Sequence, residues 1–118
     1  MKLKIRSIQE HGDATKEYVI IDVLEDCDVG RHGLADTTFT SEHKVSNRLR
    51  HFYWFPDQNV KKGDTVKLMT GVGKNTSSTN LLGQTVYTYY WRLKSAVWND
   101  DGDAAVLFEM SNWKTAKA

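Results

Sequence analysis

Apolar and polar residues alternate with a period of two along most of this chain, and that spacing predicts β-strands. Leu3, Ile5 and Ser7 interleave with Lys4 and Arg6, the pattern of an exposed or edge strand. Glu17 to Glu25 is β-branched and nearly continuous in apolar character, which predicts a strand buried on both faces or at a sandwich centre. Arg48 to Phe55 places Leu49, Phe52 and Trp54 among bulky neighbours and stops at Pro56, which has no N–H to offer a ladder. Asp64 to Thr70 sorts Val66 and Leu68 onto one face, with Thr65, Lys67 and Met69 on the other. Thr85 to Leu93 is the most strand-like stretch, with Tyr87, Tyr89, Trp91 and Leu93 sharing a face. Ala104 to Met110 closes the series, setting Ala105, Leu107 and Glu109 against Ala104, Val106, Phe108 and Met110.

Glycine- and aspartate-rich turns separate these runs at 11–13, 30–33, 62–64, 80–83 and 101–102. No window of helical period competes. Thr40 to Leu49 has only Val45 and Leu49 as apolar anchors and reads as a loop with at most one helical turn. Short strands punctuated in this way predict an all-β sandwich. One domain spans residues 1–113, and residues 114–118 form a loose C-terminal tail.

Composition narrows the function classes. A 40% hydrophobic share in 118 residues is enough to bury a core. The longest apolar run, Tyr18 to Ile21, is far too short for a membrane span, and the basic, alternating N-terminus lacks a secretory run. A cytoplasmic location is therefore expected. Sixteen Lys and Arg nearly balance fifteen Asp and Glu, leaving no bulk field to attract nucleic acid. Cys27 stands alone, which excludes an intramolecular disulfide and an all-cysteine zinc site.

Two segments carry a resemblance. The first is Phe55–Pro56 followed by Val60 to Gly73, with Gly63 at a turn before a strand. The second is Tyr90–Trp91 followed by Trp98, Asn99, Asp100, Asp101, Gly102 and Asp103, leading into Ala104 to Leu107. Together they resemble the lamin tail domain, an immunoglobulin-like module. The stretch from Trp98 to Leu107 is its most specific part, and the likeness runs over residues 17–110. It implies an immunoglobulin-like sandwich of about seven to nine antiparallel strands, with Trp91 and Trp98 in the inter-sheet core. It also implies a hairpin in which Asp101 and Gly102 take positive φ while Asn99, Asp100 and Asp103 bond free backbone amides. These motifs are folding signatures rather than an active site. The loop Gly30 to Gly33 and the stretch Asp22 to Leu24 depart from the family pattern.

Candidate chemistry is sparse. Gly71–Val72–Gly73–Lys74 lacks the first glycine, the following Ser or Thr and the helix of a phosphate loop, so it reads as a turn. Cys27 and His32, flanked by Asp22, Glu25, Asp26 and Asp28, fall short of a zinc set. Asn99, Asp100, Asp101 and Asp103 offer clustered oxygens to calcium, but without the glycine placement or closing glutamate of an EF-hand. His11, His32, His43 and His51 sit at loops or strand edges, and no nucleophile-elbow motif exists. No cofactor is expected.

The resulting expectation is a non-enzymatic binding or scaffolding module that docks a protein through an edge strand or end loops. The exposed edge is placed at Lys2 to Ile8, which also admits a homodimer. The alternative is a nucleic-acid accessory domain. Between Lys44 and Lys67 six basic residues face two acidic ones, interleaved with Phe52, Tyr53, Trp54 and Phe55. A small hydrolase is the third class. Arg48, Arg50, Lys61, Lys62 and Lys74 are the expected contact residues.

Overall fold

The computed structural model describes residues 1–41, 44–99 and 102–118. Its strands are β1 (Leu3–Gln9), β2 (Tyr18–Val23), β3 (Cys27–Asp28), β4 (His32–Ser41), β5 (Lys44–Val45) and β6 (His51–Trp54), followed by β7 (Asn59–Val60), β8 (Thr65–Met69), β9 (Thr76–Thr79), β10 (Thr85–Tyr90) and β11 (Asp103–Glu109). A single 3-10 turn, Val29–Arg31, is the only helical element among the described residues. The protein is all-β. One sheet has the order β1-β2-β8-β10-β9; in the other, β4 is flanked by β11 on one side and by β5 and β6 on the other; β3 and β7 form a short separate pair.

The two sheets pack face to face because alternation gives each an apolar inner side. Leu3, Val19, Ile21, Val23, Val66, Leu68 and Tyr89 point inward from the first sheet and meet Leu34 and Phe55 from the second. Phe55 sits edge-on to Tyr89 at 5.6 Å, and Tyr53 reaches Trp91 at 6.1 Å. Trp98 is buried in this core, and half-buried Trp91 packs on it. Each fully buried aliphatic side chain contributes about 1.5–3 kcal/mol of driving force.

Several features differ from the sequence expectations. Eleven strands are present among the described residues, three of them only two residues long, and β8 and β10 run parallel rather than antiparallel. The parallel pair arises because β10 inserts between β8 and β9, so the chain leaving β8 must cross the end of β10. Gly73 makes that crossing feasible: it lies on the Tyr90 ring, where a Cβ would collide. The Asn75 side chain takes the Tyr90 N–H at 3.0 Å.

Of the two positions expected for β2, it takes the one inside the sandwich and is not buried on both faces: Tyr18, Ile20 and Asp22 face outward under partial cover. Thr40 to Leu49 contains no helical turn among the described residues; β4 extends to Ser41 and pairs with β5 instead. The turn of the expected Trp98–Asp103 hairpin, at Asp100 and Asp101, lies outside the described residues. β11 pairs with β4, with Asp103 opposite Thr38, and no strand stands between β10 and β11 among the described residues. The Gly102 carbonyl accepts the Phe39 N–H at 3.0 Å as β11 begins. Asp103 does bond a free amide, that of Asn99, at 3.0 Å. Asp100, Asp101 and His43 lie outside the described residues, as does Glu42.

Buried acids fasten the connections. Glu17 is fully buried: its Oε2 accepts the Thr70 hydroxyl at 2.6 Å and the Val97 and Trp98 N–H groups at 2.8 and 3.2 Å. Its Oε1 takes the Gly12 N–H at 3.1 Å. Asp64 accepts from the Lys61 and Thr85 amides, and Asp36 from both the amide and the ring of His51. Each carboxylate satisfies amides that would otherwise be stranded in the interior.

Candidate interaction face

The outer side of the second sheet has an unusual make-up. On β4 the outward positions are Gly33, Ala35, Thr37 and Phe39, and the first three are buried. They are covered from the flanking strands. Gly33 lies between Trp54 of β6 and Phe108 of β11; Ala35 lies between Phe52 and Val106. The Phe52 ring lies across Gly33 so closely that no Cβ could fit there, and it sits 5.9 Å from Phe108. A bulky residue on the central strand would push the aromatics off the sheet.

The same face continues past the strand ends. Trp113, beyond β11, meets Trp54 edge-on at 5.0 Å, and the Arg31 guanidinium stands 5.7 Å from the Trp113 ring centre. Trp54 is fixed by its indole N–H, which donates to the Gly30 carbonyl at 2.7 Å. At the opposite end Val45, Leu49, Val106 and Phe108 line an apolar hollow of about 320 Å³. Its rim is held by Thr37, whose hydroxyl bonds the Ser46 carbonyl at 2.8 Å.

Phe39, Val45, Leu49, Phe52, Trp54 and Trp113 are all more than two-fifths exposed. They are six of the eleven exposed large apolar side chains among the described residues. Apolar side chains scattered singly need no explanation; a contiguous set on one sheet face marks a contact surface.

The five basic residues expected to act together are not brought together. Arg48 borders this face through its backbone, whose carbonyl accepts from the Thr37 hydroxyl, whereas the Arg50 side chain bonds the Thr38 hydroxyl and approaches Asp103 at 3.8 Å, residues of the opposite parity. Lys61 and Lys62 belong to the turn before β8, where their amides bond Asp64 and Asp26. Lys74 follows the other end of β8, five strand residues away, or about 17 Å. The aromatics separate by parity, with Phe52 and Trp54 outward and Tyr53 inward, and Phe55 buried beyond the strand end.

Cys27 and His32 do share a hollow of about 310 Å³, with Lys2, Arg31 and Glu109. His32 begins β4 and is buried. Its Nδ1 donates to the Asp28 carbonyl at 3.1 Å, while Nε2 has no hydrogen-bond partner and lies 3.7 Å from Glu109. Burial pushes the Cys27 thiol up, the opposite of what a nucleophile needs. No three His, Cys, Asp or Glu among the described residues are arranged to hold a metal ion. No helix among the described residues is long and apolar enough to cross a membrane.

Sequence reasoning passed over Trp113, Phe39 and Glu17. Trp113 and Phe39 lie next to or beyond segments that carry no periodic signal. Glu17 precedes an apolar run with nothing to mark it as buried.

Compared with protein-family models, curated proteins and solved structures, the chain matches none. The likeness to the lamin tail domain therefore rests on the motif residues themselves.

Proposed function

We propose that this chain is a non-enzymatic binding module of the lamin-tail type, acting in the cytoplasm, that docks a protein partner. The observation that carries this reading is the aromatic outer face of the second sheet. Its centre, Phe52, Trp54 and Phe108, is apolar, and the Arg31 guanidinium stands at its rim over Trp113. That make-up suits a partner presenting an apolar segment flanked by an acidic residue. The docking surface is a sheet face, and the end-loop lysines 61, 62 and 74 stand apart from it.

The test is a photo-reactive phenylalanine analogue placed at Phe52, or at Ile20 on the other sheet, in cells that make this protein. A partner is expected to crosslink from position 52 and not from 20. The purified, identified partner should then lose at least about tenfold in affinity for a Phe52→Ser/Trp54→Ser variant. Equal crosslinking from both positions, or unchanged affinity, overturns the reading. Retention on single-stranded oligonucleotide that falls steeply with salt would establish the nucleic-acid alternative in its place.

A further inference from the structure

The three most exposed large apolar side chains of the described chain are not on that face. They are Leu81 at 106%, Leu82 at 84% and Val72 at 75% relative exposure, and they lie at the two ends of edge strand β9. Leu81 and Leu82 form the tip of the β9–β10 hairpin. The tip is firmly built: the Asn80 side chain accepts the Leu82 and Gln84 N–H groups, and the Asn80 carbonyl accepts that of Gly83, which has positive φ. Val72 lies at the other end, in the crossing loop over Tyr90, beside a hollow of about 340 Å³ lined partly by Met69, Tyr90 and Leu93.

β9 itself is an unguarded edge. It reads Thr76–Ser77–Ser78–Thr79, all exposed, and no charged residue occurs from Asn75 to Trp91. The opposite edge of the same sheet, β1, carries Lys4 and Arg6 and a register shift between Ile5 and Ser7, the devices that discourage strand addition. β11, at an edge of the second sheet, would bring Asp103 opposite Glu109 if two copies paired about Val106, which like charges oppose.

The ladder dictates how β9 could pair. Asn80 donates its N–H to Gln84, and the Asn75 side chain takes the Tyr90 N–H, so even-numbered residues of β9 face β10. The main-chain groups of Ser77 and Thr79 therefore point away from the sheet. We infer that a second copy of this chain pairs antiparallel along β9, about a twofold axis through Ser78. Ser77 of each copy then exchanges both main-chain hydrogen bonds with Thr79 of the other, giving four bonds, and the Ser77 and Thr79 side chains form cross-strand pairs. The same operation sets Leu81 opposite Asn75 and Leu82 opposite Lys74 of the second copy, against the Val72 loop and its hollow. This occurs twice, as a twofold interface requires. One symmetry element thus pairs the free edge and brings together the most exposed apolar groups on the surface.

Sedimentation of the full chain up to about 200 µM tests the pairing. A concentration-dependent dimer is expected. Ser77→Pro removes an outward N–H that no intrachain bond uses, and should leave a folded monomer. Leu81→Ser/Leu82→Ser alters only exposed tip residues and should weaken the dimer at least about tenfold. Ser78→Cys in a Cys27→Ser background should form an intermolecular disulfide on mild oxidation, whereas a cysteine at Ser46 should not. A wild-type monomer throughout this range overturns the inference. So does a dimer that survives both the proline and the leucine variants, or one that fails to bridge at Ser78.

Discussion

The two sheets obey one alternation rule yet finish their outer faces in opposite ways. On the first sheet the outward positions carry Lys4, Arg6, Asp22 and Lys67 among Tyr18, Ile20 and Thr65. Arg6 is hydrogen-bonded to Asp22, and the Lys67 ammonium stands 5.2 Å from the Tyr18 ring centre. Charged groups that pair or stack within the chain in this way finish the outer face around β1, β2 and β8. On the second sheet Gly33 and Ala35 leave room for aromatics, and no long charged stem crosses them. One surface is complete by itself and the other is built to be covered.

The largest loss of stability comes from cutting the buried carboxylate that ties the connections around the first sheet together. Glu17→Ala strands the Thr70 hydroxyl and the Val97 and Trp98 amides in the interior and should cost on the order of 4 kcal/mol, read from urea denaturation. Next comes Gly33→Val, which drives Phe52 off β4 and should cost about 3 kcal/mol. The same side-chain growth at Thr65, on the other outer face, should be nearly neutral.

The interior supplies a pH-dependent check. Burial pushes the Tyr89 phenol from its ordinary value of 10 up to about 12, and burial also raises Tyr53. The fold favours the neutral phenol, so its contribution is complete below pH 10 and is lost as the pH rises through 12. The loss should reach about 2 kcal/mol, followed by denaturation midpoints alongside tyrosinate absorbance. The smallest effect belongs to the closed face. Lys67→Ala should cost about 0.5 kcal/mol and leave partner binding untouched.

The inner faces were legible in the sequence because alternation is a local property. Val66, Leu68, Tyr87, Tyr89 and Leu107 fall on the sides that the period of two assigns them. Phe55–Pro56 ends its strand and Gly63 turns with positive φ, since those roles depend only on local backbone chemistry. Pairing between distant strands was not legible. Nothing within β8 or β10 records that they run parallel, because that follows from where β9 is placed. The docking face was hidden for a related reason. Phe52 and Trp54 look like core aromatics until β4 supplies Gly33 and Ala35 beneath them, and a run of basic residues looks like one patch until β6 and β8 carry its members apart.

The pairing of β11 with β4 has a consequence for synthesis. Ala105 must find Asp36, and the Glu17 carboxylate must wait for Val97 and Trp98, so β2 and β4 stay incomplete until residues as many as 81 positions further along have been made. Contacts this remote in sequence impose slow collapse and prolonged display of the apolar inner strands. A nascent chain of this kind is a natural client for chaperones at the ribosome, and its yield in cells should depend more on that protection than on the stability of the finished fold.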